Sequence, residues 1–122
     1  MAKILLIEDD KFLVRAYKDG LEQAGFEVAV AFDGREGIEK MKSEKPDLVL
    51  LDLIMPVKNG FEVLGEVAMV DELRKIPIII LSNLSQESDL ERGMALGATD
   101  YLVKADFSLE SVIEKVKEHL PK

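Results

Sequence analysis

The chain has 122 residues, 48% hydrophobic and 33% charged, and its 16 Lys and Arg against 24 Asp and Glu give a formal charge of −8. A chain of this length and composition forms one globular domain over residues 1–122 and closes a core without staples. The absence of cysteine removes disulfide frameworks, thiolate zinc sites and cysteine nucleophiles, and a lone histidine, His119, does not suffice for an imidazole metal centre or offer a ready serine–histidine triad. The acidic balance offers no basic stripe to displace counterions from phosphate backbones, so direct nucleic-acid binding is not expected. No apolar run approaches the ~18 residues of a membrane span, and the first run meets Glu8, Asp9 and Asp10 too early for an export signal. The cytoplasm is the expected location.

In chain order, apolar runs rich in Ile, Val and Leu stand at residues 3–7, 27–31, 47–51, 76–81 and 101–103. They lack hydrophobic/polar alternation, which predicts strands buried on both faces. Helical spacing follows each run: Phe12, Leu13, Ala16 and Tyr17; Ile38 and Met41; Phe61, Leu64, Val67 and Ala68; Leu90 and Met94; and, most regular, Leu109, Val112, Ile113, Val116 and Leu120. Asp33 with Glu36, Ser85 and Ser108 signal helix starts, while Gly25 and Gly97 signal helix ends. Residues 70–75 read as the longest loop. Five β-α repeats predict an α/β doubly wound sandwich, a parallel sheet with helices on both faces and right-handed crossovers. In such sheets the ligand site lies beyond the carboxyl ends of the strands.

Those ends carry Glu8, Asp9 and Asp10 after strand 1, Asp52 after strand 3, Ser82 after strand 4 and Lys104 after strand 5. One carboxylate would suffice to cap helix 1; three together repel unless a cation sits among them. With oxygen ligands only, the expected cation is Mg²⁺. Asp52 beside a metal site is a carboxylate nucleophile able to take a phosphoryl group, with Lys104 neutralising one phosphoryl oxygen and Ser82 donating a hydrogen bond to another.

The strings ILLIEDD at residues 4–10, LLDLIMP at 50–56 with Asn59-Gly60, IIILS at 78–82 and GATDYLVK at 97–104 resemble the receiver domains of two-component response regulators. The likeness runs from Lys3 to about Leu120. It implies a flavodoxin-like (βα)5 sandwich with a five-stranded parallel sheet in the order 2-1-3-4-5. It further implies that Asp52 is the phosphoacceptor for a sensor histidine kinase or phosphotransfer protein. Glu8 and Asp9, with Asp52 and the backbone carbonyl of Ile54, would hold Mg²⁺, while Asp10 caps the first helix. Ser82 takes the position of the mobile hydroxyl, Lys104 that of the family lysine and Tyr101 that of the aromatic switch. The face built by helix 4, strand 5 and helix 5 would dock a downstream protein or a second copy as a homodimer.

The sequence departs from the family pattern in three places. Ala105 replaces the proline that commonly follows the strand-5 lysine in a cis bond, so a trans Lys104-Ala105 bond is expected. Ile54 and Leu84, two residues after Asp52 and Ser82, offer no group to orient a hydrolytic water and should screen an acyl phosphate, so self-dephosphorylation should be slow. Met55, Met69 and Met94 read as gap-filling or loop-anchoring residues, His119 as a complement to the dipole of the last helix, and Glu114, Lys115, Lys117 and Glu118 as a solvated face.

The chain ends after helix 5 at Pro121-Lys122 without room for an output domain, as a stand-alone regulator or a fragment would. Expected chemistry is confined to self-phosphorylation and self-dephosphorylation, so the protein is read as a signalling module and not an enzyme. A dehalogenase-type phosphatase would need a second aspartate where Ile54 stands. A flavodoxin-like electron carrier would want hydroxyls and backbone amides where Glu8, Asp9 and Asp10 stand. The remaining alternative is a phosphorylation-independent interaction scaffold on the same fold, disfavoured because the acceptor-site positions are all filled.

Overall fold

The computed structural model describes residues 1–121, so Lys122 lies outside the described residues. The elements run β1 (Lys3–Ile7), α1 (Lys11–Gln23), β2 (Glu27–Ala31), α2 (Gly34–Glu44), β3 (Leu48–Leu51), α3 (Gly60–Ala68), α4 (Asp71–Arg74), β4 (Ile78–Ser82), α5 (Glu87–Ala95), β5 (Asp100–Val103), a 3₁₀ turn (Lys104–Asp106) and α6 (Leu109–His119). The five strands are parallel, in the order β2-β1-β3-β4-β5, as the flavodoxin-like reading requires. The helices read from the sequence as helix 4 and helix 5 are α5 and α6.

Central strands β3 and β4 are buried along their whole length, which is why they read as uninterrupted apolar runs. Pleating sends alternate side chains to opposite faces and so divides the core in two. Leu5, Ile7, Val49, Leu51, Ile78 and Ile80 pack under the helices that bring Met41, Val63, Leu64 and Leu73. Ile4, Leu6, Leu48, Leu50, Ile79, Leu81 and Leu102 pack against Val14, Tyr17 and Leu21 of α1 and Val112 and Val116 of α6. Each such side chain removed from water contributes roughly 1.5–3 kcal/mol.

Helix ends follow the sequence signals at most positions. Asp10 accepts from the backbone N–H of Phe12 and Leu13, Asp33 from Glu36, and Ser108 from Ser111. Gly25 and Gly97 take φ of 98° and 108° just past α1 and α5, a region where a side chain is strained. The Lys104-Ala105 bond is trans, there being no cis peptide bond among the described residues.

Several expectations are corrected. Ser85 does not start α5; Gln86 holds the N-cap position with no side-chain hydrogen bond. Residues 70–75 are not an open loop, because α4 turns there and buries Leu73 as a plug at the end of the core. The longest stretch between elements is instead 52–59, which leads away from Asp52. The buried stripe of α1 is Val14, Tyr17 and Leu21, with Leu13 partly covered, while Phe12 stands 90% exposed and Ala16 is exposed as well. Ala68, too, is exposed at the end of α3. Of the three methionines, only Met55 is buried; Met69 follows the end of α3 and Met94 flanks the inward Gly93, so both remain exposed.

Candidate functional site

Beyond the carboxyl ends of the strands lies an open cleft of about 360 Å³, lined by Glu8, Asp9, Asp10, Leu13, Asp52, Ile54, Asn83 and Lys104. Four of these arrive by one rule. Leu6, Leu50, Leu81 and Leu102 all point toward α1 and α6, and two residues further along the same strands stand Glu8, Asp52, Asn83 and Lys104.

Asp52 and Glu8 are 7% and 2% exposed, a degree of burial that carboxylates reach only when paired or hydrogen-bonded. The Asp52 carboxylate accepts from the backbone N–H of Leu53 at 2.8 Å and lies 3.5 Å from Lys104 Nζ. Lys104 also donates to Glu8 Oε1 at 2.5 Å, and Glu8 Oε2 accepts from the backbone N–H of Asp10 at 3.1 Å. Burial lifts the Glu8 carboxyl above its ordinary range; the hydrogen bond from Lys104 offsets part of that, and the charge of Asp52 adds to it. Burial pulls Lys104 down, but its hydrogen bond to Glu8 and the charges of Asp52 and Glu8 outweigh that and hold the ammonium above its usual value. One cation is thus shared between two buried carboxylates.

Glu8, Asp9 and Asp52 each offer a carboxylate oxygen, all within 4.8 Å of one another. Three hard oxygen donors without nitrogen or sulfur fit Mg²⁺. The loop after Asp52 is shaped for close approach: Gly60 N–H donates to the Leu53 carbonyl at 2.9 Å, and a Cβ at Gly60 would lie 2.5 Å from the Asp52 carbonyl oxygen. Within the same loop Val57 has φ of 68°, a strained conformation for a β-branched residue, where Lys58 N–H turns back to the Pro56 carbonyl at 2.8 Å.

Ser82 is fully buried and does not line the cleft. Its Oγ accepts from Leu84 N–H at 3.3 Å, and the Leu84 carbonyl accepts from the Tyr101 hydroxyl at 2.6 Å. Ser82 and Tyr101 are therefore joined through the backbone groups of one residue, on the α5 side of the sheet. Burial, followed by the charges of Asp89 and Asp52, pushes the Tyr101 phenol up to about 12. Gly93 lets α5 lie on this strand pair, since a Cβ there would meet Ile80 at 2.5 Å and the Tyr101 ring at 3.2 Å. Leu84 packs into the core half under α5 and does not line the cleft, so of the two expected screens only Ile54, 59% exposed, stands there.

Two residues were missed from sequence. Asn83 reaches the cleft, and the recurring step of a leucine followed two places later by a polar residue could have found it. His119 does more than complement a dipole: its Nε2 lies 2.8 Å from Asp100 Oδ2 and ties α6 to β5.

The family model of the response regulator receiver domain matches residues 4–117. The chain belongs to that family. Among solved structures, this receiver domain is similar to the chemotaxis protein CheY4 of Vibrio cholerae, with 33% identity over 98% of this chain and 99% of that one and a TM-score of 0.91. It is also similar to the receiver domain of the Francisella response regulator 1452, with 30% identity over 97% and 95% of the two chains and a TM-score of 0.89. The Mn²⁺-bound response regulator Rcp1 is 27% identical over 100% of both chains, with a TM-score of 0.86.

Proposed function

We propose that residues 1–122 act as one phosphorylation-controlled signalling module in which Asp52 accepts a phosphoryl group from a sensor histidine kinase or phosphotransfer protein. The observation that carries this is a buried Asp52 carboxylate, oriented by Leu53 N–H and facing Lys104, in a cleft open to a phosphodonor. An Asp52 carboxylate oxygen attacks phosphorus, a P–O bond forms as the P–N bond to the donor histidine breaks, and the imidazole leaves with the bonding pair and takes up a proton. Lys104 shifts its charge from the carboxylates to the incoming phosphoryl oxygens. Glu8, Asp9 and Asp52, with the Ile54 backbone carbonyl, are the residues to hold Mg²⁺, which when bound supplies further charge neutralisation at the transferring group. The Mn²⁺-bound state of Rcp1 supports a divalent cation here.

The readout runs along the other side of the sheet. Movement of Ser82 toward the phosphoryl group breaks its bond with Leu84 N–H, and the Leu84 carbonyl carries the change to Tyr101 and the face of α5, β5 and α6, where a downstream protein or a second copy docks. Water returns the carboxylate by attacking phosphorus and releasing inorganic phosphate. Ile54 offers that water no base, so the phosphoryl group is long-lived. The module turns over no external substrate.

Intact mass after incubation with Mg²⁺ and acetyl phosphate tests the assignment. One phosphoryl group is expected on the parent and none on Asp52→Ala or without Mg²⁺. An adduct that survives Asp52→Ala, or a parent that binds Mg²⁺ yet takes no phosphoryl group, contradicts it and leaves a phosphorylation-independent scaffold.

A further inference from the structure

The cleft holds five ionisable side chains and one neutral hydrogen-bonding side chain. Glu8, Asp9, Asp10 and Asp52 bring negative charge and Lys104 positive charge, while the hydroxyl anticipated for the site, Ser82, is sealed on the opposite face with its Oγ engaged by Leu84 N–H. Asn83 is exposed and shares the pleat position of Glu8, Asp52 and Lys104, two residues past the inward Leu81. The hydrogen bonds of this stretch run through Ser82, Leu84 and Tyr101 and bypass the Asn83 amide.

Resting on the phosphoacceptor reading, we propose that Asn83 is a catalytic residue of this site, whose Nδ2–H donates to a phosphoryl oxygen as the group passes to and from Asp52. An amide suits that place: it donates without adding charge to a cluster that already shares one ammonium between two buried carboxylates. A donor aimed where charge is carried during transfer lowers the barrier in both directions. The step balances as before, with the P–O bond to Asp52 forming as the bond to acetate or histidine breaks; Asn83 gives up no proton. Ser82, held by Leu84 N–H until it moves toward the transferred group, then reports the event toward Tyr101, so the donor during transfer and the reporter after it are separate residues.

The test compares parent, Asn83→Ala, Asn83→Asp and Asn83→Gln by the rate of adduct formation with acetyl phosphate and Mg²⁺, by the rate of adduct loss, and by Mg²⁺ affinity. Asn83→Ala should slow both formation and loss by about tenfold at unchanged Mg²⁺ affinity. Asn83→Asp, which keeps the shape but loses the donor, should be slower still while binding Mg²⁺ more tightly, and Asn83→Gln should recover part of the rate. Formation by Asn83→Ala at the parental rate overturns the proposal, as does slowing of loss alone, which would make Asn83 an orienter of water. A parent that takes no phosphoryl group overturns both this proposal and the reading beneath it.

Discussion

On the side of the sheet covered by α1 and α6, the last inward leucines of β1, β3, β4 and β5 lead two residues on to Glu8, Asp52, Asn83 and Lys104, all at one cleft. On the side covered by α2, α3 and α5, the same step from Ile80 leads to Ser82, sealed from solvent and linked through Leu84 to Tyr101. The same strands therefore send three charged groups and one amide to one face and a chain of neutral hydrogen bonds to the other. A single pleat keeps the groups proposed to make the bond apart from those proposed to register it, although they are adjacent in sequence.

The separation can be broken from the reporting side. Gly93→Val fills space already held by Ile80 and Tyr101 and should destabilise the fold by about 2–3 kcal/mol in urea denaturation, yet leave adduct formation at Asp52 within about threefold of the parent. Equal damage to chemistry and stability would show that the two faces are not separable. From the cleft side, Mg²⁺ at tenfold above its Kd should stabilise the protein by about 1.4 kcal/mol in thermal unfolding, and Asp9→Asn should remove most of that gain without altering the metal-free protein much.

Tyr101 sharpens the comparison through pH. Its folded value, near 12 against an ordinary 10.0, means the native state holds this proton more tightly than the unfolded chain. The associated stability is complete below pH 10 and is lost as pH rises toward 12. Denaturation curves across that range should converge for the parent and Tyr101→Phe, whose own cost at neutral pH should be about 1 kcal/mol for the lost bond to Leu84. The smallest effect is at Val57: Val57→Gly relieves a positive φ and should gain about 0.5–1 kcal/mol in the same assay.

How much of this was legible in the sequence follows from where each feature's cause lies. Strands buried on both faces must be continuous apolar runs, so residues 48–51 and 78–81 read directly, and Asp52 and Lys104 declared themselves as charges ending such runs. Strand order came from the family resemblance and not from periodicity. Phe12 misled because helical spacing alone does not say which of two adjacent stripes faces the sheet, and Val14, Tyr17 and Leu21 took that place. Residues 70–75 hid α4 because a four-residue helix is too short to show a period, and its stability comes from burying Leu73. Asn83 and the pair of His119 with Asp100 depend on tertiary placement of unremarkable polar residues.

Amide hydrogen exchange measured by peptide, with and without acetyl phosphate in the presence of Mg²⁺, tests the two-face account most directly. The account predicts altered protection from Asn83 through α5 and β5 in the parent, little change in β2 and α2, and loss of the β5 response in Tyr101→Phe. Changes confined to the loops around Asp52, or spread evenly over both edges of the sheet, would contradict it.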